Sequence, residues 1–366
     1  MNDVSELYKK STLVTPTEVQ TYVSALENNK TIICNNNHNY IFATKLFSTS
    51  EIYTILDKKN VEEKTKKKEL PVCLCNGFYD SMTLLELQPN EETLYHILTT
   101  KFWPGLLHIC VRVKSFVDSL VTYNDTHIIL GSPSHRHIRK ILETVRMPLA
   151  TFLTSKQGNL PIVTSTELQH TYAEEHIPIM DTSDTHSFLD GIQPTLIMVD
   201  NTTITLLRRG PLSFETIQEH ITSTYKEPIQ YKTDISIYTH IRNLKPIYTL
   251  QLMDIQATSI QSGIVSELQE KTKYMIQNII VIDFHQRLAD YKEQFYGYVD
   301  ISEKGSIEEY IQNLYSVLHS VMKTECTKIY LTDIRLHTTD EYQYIQDIID
   351  ELTQNYRMVI PRIFLE

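Results

Sequence analysis

Six lysines crowd one short stretch: Lys58, Lys59, Lys64, Lys66, Lys67 and Lys68 lie between Leu56 and Leu70. Ammonium groups at that density suit phosphate. The stretch reads either as a lid whose lysines reach a phosphorylated ligand or as a solvated loop, because Asp57, Glu62, Glu63 and Glu69 are interleaved with them. Two further spacings could touch metal: His135 and His137 form an H-x-H pair, and Cys73 and Cys75 a C-x-C pair. A structural zinc takes four ligands, and neither pair has a second set at ligand spacing, so both read as non-metal. The cysteines Cys34, Cys73, Cys75, Cys110 and Cys326 sit mostly in apolar, strand-like runs, which suits reduced core thiols rather than a disulfide framework.

Only 9 of the 366 residues are glycine, well below the usual share of roughly 7%. The chain holds no G-x-G-x-x-G loop, no G-x-x-x-x-G-K-[ST] loop and no G-x-S-x-G elbow. Any nucleotide must therefore be handled without those phosphate cradles. A formal net charge of −11 argues against an extensive nucleic-acid surface. Met1 to Lys10 lacks an apolar core and no run of 18 apolar residues occurs, so no membrane span is expected and a cytoplasmic protein is.

The elements that would position these residues alternate between strand and helix. Strands are expected at Thr31 to Cys34, Tyr40 to Ala43, Pro71 to Cys75, Leu107 to Val113, His127 to Leu130 and Leu149 to Leu153. Helices are expected at Pro16 to Asn28, Glu51 to Lys59, Glu91 to Phe102, His135 to Thr144 and Ser213 to Ile221, with a hairpin around Asp200-Asn201. A polar, tyrosine-rich stretch then reads as a linker. After it the alternation restarts: strands Ile247 to Met253, Ile279 to Asp283, Gln294 to Val299 and Lys328 to Leu331, with helices Ser259 to Tyr274, Ile307 to Val321 and Asp340 to Thr353. Such alternation predicts α/β architecture in two parts.

A series of motifs, in order along the chain, resembles the Sua5/YrdC family, the threonylcarbamoyl-AMP synthases. Lys101-Phe102-Trp103-Pro104-Gly105-Leu106-Leu107 is similar to its K-F-W-P-G-P-L, and Ser132-Pro133-Ser134-His135 to its V-R-x-P-x-H turn. Met147-Pro148-Leu149-Ala150 leading to Lys156-Gln157-Gly158 resembles P-L-x-x-x-S-A-N-x-S-G, Gly191-Ile192-Gln193-Pro194-Thr195 resembles G-I-x-S-T, and Leu207-Arg208-Arg209-Gly210 resembles L-R-x-G. Past the linker, His240 to Tyr248 is similar to H-Y-A-P-K-x-P-L-Y. The departures are specific. The family's P-T-E-T-x-Y-G-L keeps only Tyr40, its K-x-R-P keeps Lys59 (or Lys58 with a one-residue slip) without the arginine, the arginine of V-R-x-P is Gly131, and the S-A-N triplet is Leu153-Thr154-Ser155.

The resemblance implies a long, two-domain Sua5 type. Residues 1–222 would form a YrdC-like twisted open mixed sheet with flanking helices, 223–245 a linker, and 246–366 a smaller Rossmann-like α/β domain. It implies that threonine, bicarbonate and ATP, with Mg²⁺, are joined into threonylcarbamoyl-AMP with release of pyrophosphate, for the t6A modification of tRNA alongside other proteins of that pathway. Tyr40, Lys59, Thr154, Ser155, Thr195 and Arg208 would line the substrate pocket and His240 would gate it from the linker. The alternative is a catalytically degenerate member that binds or regulates, since the arginines are what such chemistry needs: a guanidinium clamps phosphate and carboxylate bidentately, and lysine acts as a point charge.

Overall fold

The computed structural model describes residues 13–14, 19–36, 38–59, 70–156, 159–180, 190–235, 247, 249–254, 278–334, 342–353 and 357–359. The chain divides into two compact units, one of Met1–Ser187 with Gly191–Asn243, the other of Phe188–Asp190 with Leu244–Glu366.

The strands of the first unit are β1 (Leu13–Val14), β2 (Ile32–Asn35), β3 (Tyr40–Lys45), β4 (Val72–Leu74), β5 (Leu107–Arg112), β6 (His127–Gly131), β7 (Leu149–Leu153), β8 (Ile179–Met180), β9 (Thr195–Asp200), β10 (Thr203–Arg208) and β11 (Gln230–Thr233). They form one mixed sheet in the order β1-β8-β2-β3-β7-β4-β6-β5-β9-β10-β11. Its helices are α1 (Val19–Glu27), α2 (Thr49–Lys58), α3 (Phe78–Met82), α4 (Pro89–Phe102), α5 (Arg136–Val145), α6 (Ser165–Thr171) and α7 (Phe214–Thr224).

Strand alternation distributes these residues between two cores. Ile33, Tyr40 and Phe42 join a large cluster with Ile52 and Ile55 of α2, Leu94, Tyr95 and Leu98 of α4, and Ile217 and Ile221 of α7. Their neighbours Ile32, Cys34, Ile41 and Ala43 join a second cluster with Tyr22, Val23 and Leu26 of α1 and Ile138, Ile141 and Leu142 of α5. Helices thus cover both faces of the sheet, as the α/β reading requires. The turns are set by side chains. Asn36 Oδ1 accepts from the backbone N–H of His38 (3.2 Å) and Asn39 (2.9 Å) between β2 and β3. Asn201, in the left-handed region (φ 53°), turns the β9–β10 hairpin. Its N–H donates to Glu91 Oε1, and Glu91 Oε2 in turn accepts from the Gln88 N–H at the start of α4.

The stretch expected as a linker from 223 begins differently. Helix α7 runs on to Thr224, and Gln230–Thr233 adds a parallel edge strand to β10, so the sheet extends into it. Residues 236–246 lie outside the described residues.

In the second unit β12 (Leu250–Asp254), β13 (Ile279–Asp283), β14 (Gly297–Asp300), β15 (Lys328–Thr332) and β16 (Arg357–Val359) form a sheet in the order β14-β13-β15-β12-β16. Every pairing in it is parallel. Ile279 to Asp283 is buried throughout, the mark of a parallel strand covered on both faces. A 3-10 helix at Ala289–Gln294 lies between β13 and β14, helix α8 (Ile307–Met322) between β14 and β15, and helix α9 (Gln343–Thr353) between β15 and β16, with Ser306 Oγ capping α8 by accepting from Glu309 N–H (3.2 Å). The helix expected at Ser259 to Tyr274 lies outside the described residues.

Candidate functional site

Tyr40, Lys59, Thr154 and Ser155 come together where β7 ends beside the start of β3. Leu153 pairs with Ile41, and beyond it the chain bends. Thr154 N–H (3.0 Å) and its hydroxyl (2.9 Å) both donate to the Tyr40 carbonyl, and the Tyr172 hydroxyl donates to the Thr154 carbonyl. Lys59 follows the last turn of α2, and its ammonium donates to the carbonyls of Leu153 and Ser155. The side chain is 1% exposed. An ammonium so deeply buried is tolerated only when its protons are hydrogen-bonded, and the bend supplies the acceptors. The result is a fixed positive charge clamped to the backbone of residues 153–155.

The neighbouring lysine does something different. Lys58 pairs with Glu175, and both side chains are partly exposed. Of the two adjacent lysines, Lys59 is the buried one. The Tyr40 ring packs in the large core cluster, so its visible contact with the bend is through its carbonyl. Of the other lysines in the run, those from Lys64 to Lys68 lie outside the described residues, as does His240.

Thr195 and Arg208 form a second group at the start of β9 and the end of β10. Arg208 is 3% exposed. Its Nε donates to Pro194 O (2.8 Å), one Nη to Gln193 Oε1, and the other lies 3.1 Å from His108 Nδ1. Thr195 N–H donates to Leu106 O (3.0 Å) and its hydroxyl to Leu212 O (2.6 Å). Gly210 lets the two segments meet: a Cβ there would stand 2.4 Å from Thr195 N and 2.7 Å from Pro194 C.

The turn between β2 and β3 joins the two groups. Gly191, at φ 80°, donates its N–H to His38 O (2.6 Å), and the Asn39 side-chain amide donates to Ile192 O (3.1 Å). Three imidazoles share this region. Burial pushes the His38 side chain down to about 4. Burial, with the nearby charges of His137, Arg136 and His38, takes His135 down to about 4. His108 is driven well below its ordinary value by burial, then Arg208, then His38. At neutral pH these rings are uncharged acceptors and donors beside the Arg208 guanidinium.

The Lys101 to Leu107 motif supports the same region. Gly105 N–H donates to Ser132 O (3.0 Å), and a Cβ at Gly105 would sit 2.6 Å from Phe102 O. Trp103 donates its indole N–H to Leu107 O (2.7 Å) and packs edge-on against Tyr95, a structural role. The rings of His135 and His137 lie 5.4 Å apart, and among the described residues no group of three His, Cys, Asp or Glu side chains could hold a metal. All five cysteines are free thiols.

His108, Gln193 and Tyr172 take part without having been singled out by sequence reasoning. A lone histidine in the apolar run Leu107-His108-Ile109-Cys110-Val111 was the one available signal.

The profile of the Sua5/YciO/YrdC family, described as "Telomere recombination", matches residues 24–210. The chain belongs to the Sua5/YrdC family. A curated relative, the threonylcarbamoyl-AMP synthase of Pyrococcus abyssi, is 25% identical over 178 residues, 48% of this chain and 50% of that protein. The chain therefore spans about half the length of the curated relative it matches. The fold likeness extends further. Crystallised P. abyssi Sua5 in complex with L-threonine matches with a TM-score of 0.77 at 14% identity, over 96% of this chain and 100% of that one. A double-alanine variant of P. abyssi Sua5 matches at 0.76 and 14% identity, over 96% and 98%. This establishes the fold of a Sua5/YrdC member: a large twisted mixed sheet with flanking helices, and a second, smaller sheet. No described helix is long and apolar enough to cross a membrane.

Proposed function

We propose that this protein is a threonylcarbamoyl-AMP synthase, joining threonine, bicarbonate and ATP. The threonine amine forms a bond to the bicarbonate carbon with loss of water. The carbamate oxygen so formed attacks the α-phosphorus of ATP, and pyrophosphate leaves. No step needs a protein nucleophile. Catalysis of this kind rests on holding three reactants in line and placing cations where negative charge develops.

The observation that carries the reading is the buried Lys59 ammonium fixed to the carbonyls of Leu153 and Ser155, on the bend that aligns with the family's S-A-N triplet. A cation whose position is set before substrate arrives does not have to reorganise during the reaction. Arg208 supplies the second fixed charge, through a planar fork suited to carboxylate or phosphate. Thr154, Ser155 and Thr195 shape the backbone and contribute hydroxyls, Tyr40 anchors the bend, and His240 is proposed to gate the pocket from the linker. Mg²⁺ typically binds substrate phosphates with few protein ligands, and the described residues build no resident metal site. The cation would thus come with the nucleotide. The product would pass to the proteins that place the threonylcarbamoyl group on tRNA, in the cytoplasm.

Pure protein given ATP, Mg²⁺, bicarbonate and threonine is expected to release pyrophosphate only when threonine is present. Release no greater than that of heat-killed protein would refute the proposal and identify a catalytically silent member of the family.

A further inference from the structure

His108 and Gly131 stand directly opposite each other on β5 and β6. A Cβ added to Gly131 would lie 2.7 Å from His108 Cδ2 and 3.0 Å from Nε2. The imidazole therefore fills the space in which any side chain at position 131 would begin. That position is where the family pattern has arginine, so the absence of the arginine and the seat of the histidine are one structural fact.

The other edge of the same ring meets Arg208, at 3.1 Å from Nδ1. A guanidinium can only donate. His108 Nδ1 is thus the acceptor, and the ring proton resides on Nε2. Protonating Nδ1 would set donor against donor, and burial together with the Arg208 charge opposes it. Gln193 Oε1 accepts from one Nη and Pro194 O from Nε, so the guanidinium plane is fixed from β5 and from the loop before β9.

We propose that His108 is a positioning residue that orients the Arg208 guanidinium, and that positions 108 and 131 form a coupled pair in which the imidazole takes the place of the missing arginine. Its kinetic consequence rests on reading Arg208 as part of the threonylcarbamoyl-AMP-forming site; the coupling itself does not.

Three measurements on the full chain test this. Asparagine places an amide oxygen near the Nδ1 position, and glutamine reaches the Nε2 position. His108→Asn should therefore keep threonine-dependent pyrophosphate release within a few-fold of the parent, whereas His108→Gln should lower kcat by about tenfold or more. The Nε–H NMR signal of Arg208, assigned by its loss in Arg208→Lys, should show slow hydrogen exchange in the parent and His108→Asn, and fast exchange in His108→Gln. Finally, Gly131→Arg should lower Tm sharply, and adding His108→Ala should raise it again, because the ring that clashes is gone. Equal Arg208 exchange in the Asn and Gln variants would overturn the positioning role, and additive Tm losses in the double variant would overturn the coupling. A parent protein without threonine-dependent release refutes the proposed function alone, since exchange and Tm still decide the inference.

Discussion

Lys59→Met separates two adjacent lysines by what each one touches. Methionine keeps most of the stem volume and removes the ammonium. Two carbonyls, those of Leu153 and Ser155, lose their donor. A hydrogen bond to a charged group contributes about 1.5–3 kcal/mol net, so the pair is worth about 3–6 kcal/mol. Against this, methionine relieves the cost of holding an ammonium out of water, several kcal/mol on its own. The balance is a destabilisation of about 1–3 kcal/mol. In a unit of roughly 150–250 residues each kcal/mol moves Tm by about 2–4 °C, giving a fall of about 2–12 °C. Lys58→Met breaks only the half-exposed pair with Glu175, worth about 0–1 kcal/mol. Scanning calorimetry of both variants gives the stability comparison. Threonine-dependent pyrophosphate release should fall about tenfold to a hundredfold in Lys59→Met and stay near the parent value in Lys58→Met. A Tm loss in Lys58→Met as large as that in Lys59→Met, or a Lys59→Met protein unchanged in both stability and rate, would rule out this role for Lys59.

Gly210→Ala should sharply reduce soluble yield and Tm, because its Cβ would meet backbone atoms of Thr195, Pro194 and Gln193; Gly297→Ala, facing only the Ile280 side chain at 3.1 Å, should cost far less. Thr154→Val removes the hydroxyl bond to Tyr40 O but keeps the backbone one, so calorimetry should register a loss of about 0.5–1.5 kcal/mol. His38 and His135 are held down to about 4 in the fold, whereas unfolded imidazoles titrate near about 6.5. Between those values the unfolded chain binds more protons, so their contribution to stability is complete above about pH 6.5 and declines as pH falls toward 4, by up to about 1.4 kcal/mol per pH unit for each group. Urea midpoints at pH 7, 6 and 5 should show this decline, and His135→Asn should flatten it; identical slopes in parent and variant would count against the assignment.

Most of the first unit's framework is legible in the residues because burial imposes a period. Ile32 to Cys34 and Tyr40 to Ala43 alternate between two cores, and Asp200-Asn201 marks its hairpin. The edge strand Gln230–Thr233 is not legible: it is mostly exposed, so no apolar face is selected and the segment reads as linker. The short helix Ser165–Thr171 buries only Leu168, too little to leave a pattern. The site divides in the same way. Motif order singles out Lys59, Thr154, Thr195 and Arg208, and the structure places them in two groups joined by the turn between β2 and β3. His108 was not, because its role depends on a cross-strand neighbour 23 positions away, Gly131, whose missing side chain makes the space. Glycine scarcity shows where that logic applies: Gly105, Gly191 and Gly210 stand where a Cβ would strike backbone or φ turns positive.

The proposed activity is formation of an adenylate from bicarbonate, threonine and ATP. Supplying carbon-labelled bicarbonate with ATP, Mg²⁺ and threonine, and following the label into a nucleotide-containing product by mass spectrometry, tests it most directly. Labelled threonylcarbamoyl-AMP is expected; it should disappear when threonine or ATP is withheld and drop steeply in Lys59→Met. Protein that binds ATP yet transfers no labelled carbon to the nucleotide would contradict it.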